Sequence, residues 1–594
     1  MILSTLDWIL IGSFFLISLI IGLYTAKRAG TNAREFFLSG RNMPWWLLGV
    51  SMVATTFSAD TPNLVTDIVR QNGVSGNWVW WAFLLTGMLT VFVYAKLWRR
   101  SGVLTDLEFY EIRYGGKPAS FLRGFRAIYL GVFFNVMIMA SVSLAAIKIG
   151  GVMLGLSPLQ TMLIASIVTV IYSSLGGLRG ILLTDFFQFA ISMVGAIWAA
   201  KVIVNLPEIG GLSNLLSHPN LSGKLSLLPD FSDPYLLIPV LIIPLAVQWW
   251  SVWYPGAEPG GGGYIAQRML SAKDEKSAMG ATLLFNIAHY ALRPWPWIIV
   301  ALASLVVFPD LQSLREAFPD IPAEVVKNDL AYSAMLTYLP AGLLGLVVAS
   351  LIAAFMSTIS THLNWGSSYI VYDFYKRFIN PNAEEKKLVL IGRISTVVLM
   401  ILSALVALLL ENALQAFNIL LQIGAGTGLI FILRWFWWRI NAYTEISAMI
   451  ISFLVAIYFE LIHVRIGFEP IPTHLQLVSG VGITTLGWLI VTFLTQPETD
   501  DVLRSFYKKI SPGGPGWKKV LLKAEQDGDV IGDGNWQLPL EILAMVLGCF
   551  TVYSSLFGVG YWLYGNTSTA LILSMITLVT GYWLFRIWAK LQMK

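Results

Sequence analysis

Two stretches decide how this chain folds: Ser58-Ala59-Asp60-Thr61-Pro62-Asn63 and Tyr254-Pro255-Gly256-Ala257-Glu258-Pro259-Gly260-Gly261-Gly262-Gly263-Tyr264. Each interrupts or ends an apolar segment long enough to cross a bilayer, and each carries an acidic residue. Pro62 has no N–H for the carbonyl of Ser58, and its ring biases Thr61 toward an extended backbone. Backbone carbonyls freed in hydrocarbon are costly unless they line a cavity or bind a ligand. The two stretches therefore predict broken membrane helices.

The composition is that of a protein that crosses a bilayer many times. Of 594 residues, 56% are hydrophobic and only 12% are charged, whereas soluble domains carry about 25% charged residues. The apolar blocks fit a hydrocarbon core about 30 Å thick, which takes roughly 20 residues per helix. The sequence predicts an all-α polytopic membrane protein with about fifteen spans. We place these spans at 5–26, 45–70, 76–98, 121–152, 158–176, 182–204, 235–255, 276–307, 340–378, 387–411, 413–439, 441–464, 474–494, 538–563 and 567–590.

The charges between the spans predict their orientation. Lys and Arg concentrate in alternate loops, and such loops face the cytoplasm. The first apolar block has Asp7 before it and a basic stretch, 27–41, after it, which is typical of a retained span rather than a signal peptide. We expect a multi-pass protein of the cell membrane, embedded in the lipid bilayer, with its N-terminus outside and its C-terminus in the cytoplasm.

The positions of the two breaks predict the domain organisation. Counted from the second span, they fall in helices 1 and 6, which indicates an inverted five-plus-five repeat with its site at the bilayer midplane. The alternative, that prolines merely kink both helices, stays open. The predicted organisation is a leading helix at 5–26, a first five-helix repeat at 45–204, a second, inverted repeat at 235–439, two accessory spans at 441–494, a cytoplasmic linker at 495–536 and two C-terminal spans at 538–590.

The linker is the only long polar insert, and it carries no phosphate loop, metal cluster or nucleotide fingerprint. We therefore expect no nucleotide and no nucleic acid as a partner, and no catalytic residues.

One polar helix face predicts a cation site. Ala354, Ser357, Thr358 and Thr361 lie at i, i+3, i+4 and i+7 and so share one face of a helix. Their hydroxyls and one backbone carbonyl would meet the carbonyls freed at the first break. Mostly neutral oxygen ligands suit a hard, monovalent cation. The alternative is that these hydroxyls bond their own helix or hold helices together.

Several long motifs, in order, resemble the sodium:solute symporter family, which includes the sodium/glucose, sodium/proline and sodium/sialic acid transporters. The similarity runs from about residue 5 to 440. It is carried by residues 34–46, by residues 172–185, by Gln267-Arg268 with the following Leu270-Ser271-Ala272-Lys273, and by residues 354–364.

The resemblance implies the leucine-transporter fold and a sodium ion, as the coupling ion, between helices 1 and 8. The implied ligands are the carbonyls of Ala54, Phe57 and Ala354 and the hydroxyls of Ser357 and Thr358, with Asp185 nearby. Some members hold a second sodium with a hydroxyl where this chain has Ala354. We therefore expect one sodium per cycle.

The candidate solute contacts depart from those of the sugar transporters. Gly262-Gly263 stands where they have a polar residue and an amide, and His289 and Thr61 stand where they have lysine and glutamine. Arg293 could hold a carboxylate or pair with Glu258 or Asp60, and both interpretations stay open. For most of the tryptophans, packing and the interfacial aromatic belt are the favoured interpretation. The remaining candidates are polar or aromatic residues at suitable depth: Asp60, Trp80, Trp81, Asn135, Glu258 and Gln422.

Together these features predict a sodium-coupled secondary active symporter of a small polar organic solute, working by alternating access, with a sugar or sugar derivative favoured. One alternative is a carboxylate or anion symporter that uses Arg293. A transporter-like membrane sensor would need a signalling domain, and 495–536 leads only to two more spans. A polytopic enzyme using Asp60, Glu258 and His289 is disfavoured, because no sizeable water-facing loop carries a metal or nucleophile motif.

Overall fold

The structure is a computed structural model that describes residues 3–29, 32–323, 325–410, 413–529, 531–532 and 536–592. Over these residues it is an all-helical bundle, with only two isolated β-bridges. The prediction of an all-α protein is confirmed. The helices that matter for the site and the bundle are α1 (Thr5–Ala29), α2 (Trp45–Thr56), α3 (Asp60–Asn72), α4 (Val74–Ser101), α5 (Gly116–Leu154), α6 (Pro158–Val204), α7 (Pro234–Ser251), α8 (Gly263–Ser271), α9 (Glu275–Val307), α10 (Leu343–Ile379), α11 (Glu385–Ala407), α12 (Ala413–Gly424), α13 (Gly428–Leu433), α14 (Ala442–Ile462), α15 (Thr473–Leu494), α16 (Asp500–Ile510), α17 (Lys518–Gln526), α18 (Leu538–Leu563) and α19 (Thr567–Gln592).

The number of membrane-length helices is lower than the fifteen predicted spans. Among the described residues, twelve helices are long and apolar enough to cross a bilayer. The three other predicted spans, 45–70, 158–176 and 413–439, contain shorter helices. The first consists of α2 and α3, the second joins the next span in α6 through a non-helical Gly177, and the third consists of α12 and α13. Helix breaks account for the difference.

The first predicted break is present between α2 and α3. Phe57 leaves the helical conformation, with φ −83° and ψ 67°. Pro62 lies in the first turn of α3, where its missing N–H costs no helical hydrogen bond. The carbonyl of Thr55 loses its partner within the helix and accepts a hydrogen bond from the Thr358 hydroxyl at 2.7 Å. A carbonyl freed by the break is thus satisfied by another helix, as burial in a membrane protein requires.

The second predicted break follows α7. Val252 is extended, with φ −105° and ψ 131°, and the next residue, Trp253, donates its N–H to the carbonyl of Gly424 at 3.1 Å. Gly426 in turn donates to the carbonyl of Ser251 at 2.8 Å. A Cβ on Gly424 would lie 2.1 Å from the Trp253 oxygen, so only glycine permits this approach. The break after α7 is therefore paired with a second interruption, between α12 and α13.

The helices that carry the candidate site lie at the centre of the bundle. The helix α2 packs against α6, α9 and α10, and α6 also packs against α1. In the most apolar 18 residues of α10, 89% are buried, against 17% in α19. The C-terminal pair α18 and α19 pack together, and α18 rests on α4 and α9. The site is therefore built in the interior, and α19 is peripheral.

The stretch predicted as a linker contains regular structure. Residues 495–536 include α16 and α17, which pack on each other. Trp517 between them is buried, stacks on Phe506 at 5.6 Å and donates its indole N–H to the carbonyl of Trp435 at 2.9 Å. Through Trp517 this segment is anchored on the residues that follow α13.

Candidate cation and solute site

The residues predicted to hold a cation lie where the end of α2 meets the middle of α10. The Thr358 hydroxyl donates to the carbonyls of Thr55, at 2.7 Å, and Ala354, at 3.1 Å. Ala54 and Phe57 flank this contact, and the Ala54 carbonyl accepts the Phe57 N–H at 3.1 Å. The oxygen ligands gathered here are backbone carbonyls and a hydroxyl, a set suited to a hard cation.

Asp185 of α6 completes this region from the other side. Its carboxylate accepts hydrogen bonds from Ser357, at 2.6 Å, and from Ser51. Arg268 of α8 donates to the Ser51 hydroxyl at 3.3 Å and to the Thr361 hydroxyl at 2.7 Å. All five side chains are buried. The charges of the Asp185 carboxylate and the Arg268 guanidinium offset each other, so this region combines neutral hydroxyls and carbonyls with a nearby carboxylate.

Sequence reasoning did not assign Ser51 or Arg268 a role. Arg268 stood within the quoted Gln267-Arg268 motif, which was a usable signal. Ser51 carried none, because a lone serine on an apolar helix is most often bonded to its own backbone.

A central cavity lies between the two helix breaks. Its volume is about 120 Å³, and one water molecule needs roughly 10–15 Å³ on this measure, so a small solute fits. Thr55 and Thr358 line it too, which places the cation region against its wall. The predicted solute residues that line this cavity are Asp60, Thr61, Trp80, His289 and Arg293.

Three of the side chains on the wall of the cavity form one hydrogen-bonded group. Arg293 donates to Nε2 of His289 at 3.0 Å and to the Thr56 hydroxyl at 3.2 Å. Nδ1 of His289 lies 2.8 Å from the same hydroxyl. Because Arg293 only donates, Nε2 of His289 must accept, and the imidazole carries its proton on Nδ1. The group holds the guanidinium at the edge of the cavity.

The backbone of α9 widens where it carries these residues. The N–H of Arg293 donates to the carbonyl of Ala288, five residues earlier, at 3.3 Å. Pro294 and Pro296 follow and remove two helical donors, which explains the wide turn. Such π-type turns occur often at functional sites. Here the turn presents His289 and Arg293 to the cavity.

Arg293 has no acidic partner among the described residues, since no carboxylate oxygen lies within 4.0 Å of it. Asp60 accepts a hydrogen bond from Ser141 at 3.3 Å, and Oε1 of Glu258 has no hydrogen-bond partner. The interpretation of Arg293 as half of an ion pair with Glu258 or Asp60 is therefore wrong. Both charges, from Asp60 and Arg293, remain directed to the cavity.

Trp80 forms an aromatic wall of the cavity. Its ring stacks on Tyr290 at 5.9 Å and lies perpendicular to His289 at 5.7 Å. Its indole N–H donates to Asn77 at 2.8 Å, which fixes the ring. Trp81 does not reach the cavity, because it is fully buried against Trp78 and the α18 helix.

Asn135 and Gln422 also lie outside the wall of the cavity. Oδ1 of Asn135 accepts a hydrogen bond from Nδ1 of His362 at 2.8 Å, and the Asn135 amide N–H donates to the carbonyl of His362 at 2.7 Å. It therefore supports a residue of the wall from behind. Gln422 donates to the carbonyl of Thr473 in α15 at 3.0 Å and lines a separate cavity.

Glu258 and Gly262 lie on the far side of the glycine-rich break. A Cβ on Gly262 would sit 3.4 Å from Glu258 and 3.8 Å from Asp106, so both face the α4–α5 connection instead. Sequence reasoning missed residues that do line the cavity: Tyr254, Tyr264, His362 and Phe417. The two tyrosines bounded the quoted break, and the other two gave no local signal.

The fold and the cavity define a class of protein: a helical membrane transporter with two broken helices around an internal solute cavity and an oxygen-lined cation region beside it. The family model of the sodium:solute symporter family matches residues 36–452, and the chain belongs to this family. It is a sodium-coupled symporter of the membrane and not an enzyme.

Individual relatives agree with this assignment. The chain is 25% identical over 488 residues to a sodium/glucose cotransporter of Vibrio parahaemolyticus, covering 78% of this chain and 87% of the relative. It is 26% identical to a sodium/mannose cotransporter of Bos taurus, covering 74% and 76%. A solved sodium-coupled sialic acid symporter, in a substrate-bound outward-open state, shares the fold with a TM-score of 0.66 and 20% identity, over 84% of this chain and 99% of that chain.

Proposed function

We propose that this protein couples the entry of one sodium ion to the uptake of a neutral, polyhydroxylated solute, a sugar or sugar derivative. The central cavity carries the proposal. Its wall combines the carboxylate of Asp60, the guanidinium of Arg293 and the aromatic face of Trp80. A ring with several hydroxyls can donate a hydrogen bond to the Asp60 carboxylate and accept one from the Arg293 guanidinium. Its flat face can stack on Trp80.

The charge of the wall favours a neutral solute. Asp60 and Arg293 carry opposite charges, and His289 accepts a hydrogen bond at Nε2, which a protonated imidazole cannot do. The formal charges of these groups cancel, so a neutral guest leaves no uncompensated charge in a buried space. The relatives named for glucose and mannose and for myo-inositol transport neutral polyols by their names, which supports the same solute class.

For sodium, we infer a single site made of the carbonyls of Ala54, Phe57 and Ala354 and the hydroxyls of Ser357 and Thr358, with Asp185 beside it. Ala354 supplies only its carbonyl, which argues against a second ion at that position. One charge crossing 100 mV contributes about 2.3 kcal/mol, enough for roughly fifty-fold accumulation of a neutral solute. We also infer an outside N-terminus and a cytoplasmic C-terminus from the distribution of Lys and Arg.

The test is uptake into liposomes that contain the purified protein. An inward gradient of sodium, or of potassium as a control, is applied with a panel of labelled hexoses, cyclic polyols and hexuronates. We expect at least one neutral solute to enter faster with sodium, and Trp80→Ala to raise its half-saturating concentration. If no solute of the panel distinguishes sodium from potassium, the proposal fails.

A second candidate function rests on Arg293, whose guanidinium lacks a carboxylate partner. A carboxylate solute would supply that partner. In this case hexuronates would enter faster than hexoses, and Arg293→Gln would abolish hexuronate uptake and spare any hexose uptake. Equal loss of both by Arg293→Gln would assign the arginine to holding His289 and Thr56 in place.

A further inference from the structure

A groove on the outside of the bundle separates the start of α9 from the end of α19. Its volume is about 750 Å³, several times that of the central cavity. One end is polar, with Lys273 and Lys276 on its rim, and the remaining wall is almost entirely apolar. The helix α19 lies beyond residue 452, the last residue that the family model matches. The groove therefore is formed between the transporter core and a C-terminal addition.

The two lysines on the rim are free to bind an anion. Both are exposed, and neither forms an ion pair among the described residues. Of the two acidic residues between them, Asp274 also lines the groove and offsets part of their charge, and Glu275 is engaged elsewhere. The carboxylate of Asp274 caps α9 by accepting the Ser277 N–H at 2.7 Å, and Glu275 binds Arg100 at 3.0 Å. Two lysines against the one carboxylate of Asp274 leave a net positive charge at this end of the groove.

The apolar part of the groove is open because two glycines face it. Gly280 lies on the α9 side and Gly581 on the α19 side. A Cβ on Gly280 would only touch Trp45, at 3.6 Å, and one on Gly581 would only touch Thr551, at 3.6 Å. Neither glycine is needed for close packing. The space between them is available for an alkyl chain, and Leu284 extends the wall toward the bilayer centre.

Tryptophans mark the level of this groove in the membrane. Trp45, which is 47% exposed, and Trp588 lie on its walls, and such side chains collect at the boundary between headgroups and hydrocarbon. The lysines therefore lie at headgroup level and the glycines at the level of the upper acyl chains. This order of charge, then aromatic, then apolar surface is complementary to a phospholipid.

We propose that this groove binds one anionic phospholipid, with its phosphate at Lys273 and Lys276 and an acyl chain between Gly280 and Gly581. A soluble anion would leave the apolar wall empty, and the ammonium of a zwitterionic headgroup would offset the attraction between its phosphate and the lysines. The leaflet is the cytoplasmic one if the orientation inferred under the proposed function holds. The lipid joins α19 to α9, the helix that carries His289 and Arg293 farther along.

The test counts lipids that stay on the purified, intact protein. Native mass spectrometry is carried out after equilibration with equal amounts of dioleoyl phosphatidylglycerol and dioleoyl phosphatidylcholine. We expect the first bound lipid to be phosphatidylglycerol with a preference of roughly thirty-fold, about 2 kcal/mol at 1.4 kcal/mol per tenfold, for two lysines near a phosphate. Lys273→Gln with Lys276→Gln should remove the preference. The matched control is Lys386→Gln with Lys387→Gln, an exposed lysine pair in the first turn of α11, which should retain it.

A second pair of variants tests the apolar half without touching charge. Gly280→Leu fills the groove and should abolish tight binding of both lipids, whereas Gly280→Ala should leave binding unchanged, because its Cβ makes an ordinary contact. The two Gly280 variants test the lipid site if the lysine variants do not fold.

Three results would overturn the proposal: no preference for phosphatidylglycerol in the wild type, an unchanged preference after loss of both lysines, or full competition by millimolar inorganic phosphate. None of these readouts requires transport. Failure of the lipid site is therefore distinguishable from failure of the proposed symport, which is measured by solute uptake in phosphatidylcholine liposomes.

Discussion

Replacing Thr358 by valine tests the cation site with little change of volume. The hydroxyl of Thr358 is the group that joins α10 to α2, because it donates to the Thr55 carbonyl at 2.7 Å. Valine keeps the branched shape and removes the oxygen. The change deletes one predicted sodium ligand and leaves a buried carbonyl without a donor.

The expected loss of sodium affinity follows from the ligand that disappears. In the variant a bound sodium ion lacks one oxygen ligand, and an unmet polar interaction in a buried site costs about 1–3 kcal/mol, which corresponds to a rise in the sodium dissociation constant of roughly 5- to 150-fold. At a sodium concentration of 100 times the wild-type dissociation constant, binding stabilises the protein by about 2.7 kcal/mol. The same concentration should stabilise the valine variant by only roughly 0.3–1.8 kcal/mol, by the same relation.

The assay is thermal unfolding of the purified protein in sodium chloride and in potassium chloride at equal ionic strength. Thr358→Ser keeps the hydroxyl and should retain the sodium-dependent shift. Ser360→Ala is the matched control on the same helix, because the Ser360 hydroxyl donates only to the carbonyl of Ser357, at 3.1 Å. A valine variant that keeps the full sodium shift would refute the placement of the ion between α2 and α10.

Three further predictions concern stability and the cavity. Lys148→Met should destabilise the protein by about 3–5 kcal/mol, because it removes the ammonium that lies 2.6 Å from the buried Asp329 carboxylate. Denaturation of the single variant, and of the double variant with Asp329→Leu, which should recover stability, checks this. Gly87→Ala should reduce the yield of folded protein, since its Cβ would lie 1.8 Å from Oδ1 of Asn286, and adding Asn286→Ala should restore monodispersity on size-exclusion chromatography. Arg293→Lys should weaken solute binding in isothermal titration calorimetry, because lysine cannot contact His289 and Thr56 at once. This loss of solute affinity should exceed the loss of sodium affinity caused by Arg293→Gln.

The helix breaks were predictable because their cause is local. Proline at 62 and the run of glycines at 260–263 restrict the backbone wherever the rest of the chain lies. The hydroxyl face of α10 was equally readable, since helical spacing places Ser357 and Thr358 side by side. Those features identify the predicted sodium residues on each helix separately, and the packing of α2 against α10 brings the two sets together.

The wall of the cavity was only partly predictable, because it depends on how helices rotate against one another. Asn135 has a suitable depth along α5, yet it faces His362 and supports the wall from outside. Gln422 failed for a related reason: it lies on the face of α12 that packs against α15. Depth follows from counting residues, whereas rotation is decided by packing with distant segments. Glu258 lies in an irregular segment, where no periodicity predicts direction at all.

The end of α2 explains how sodium and solute can act on each other. Thr55 gives its carbonyl to Thr358 on the cation side, and Thr56, the next residue, holds Arg293 and His289 on the solute side. Neighbouring residues on one short helical turn thus serve both ligands. In the proposed site an ion binds the carbonyls of Ala54 and Phe57, which bracket Thr55 and Thr56. A shift of these two carbonyls would therefore also move the Thr56 hydroxyl, through the planar peptide units between them. The coupling between them is reciprocal: whatever factor sodium adds to solute affinity, the solute adds to sodium affinity. Because the break after Thr56 frees this turn from the rest of the helix, the coupling needs no long pathway through the bundle.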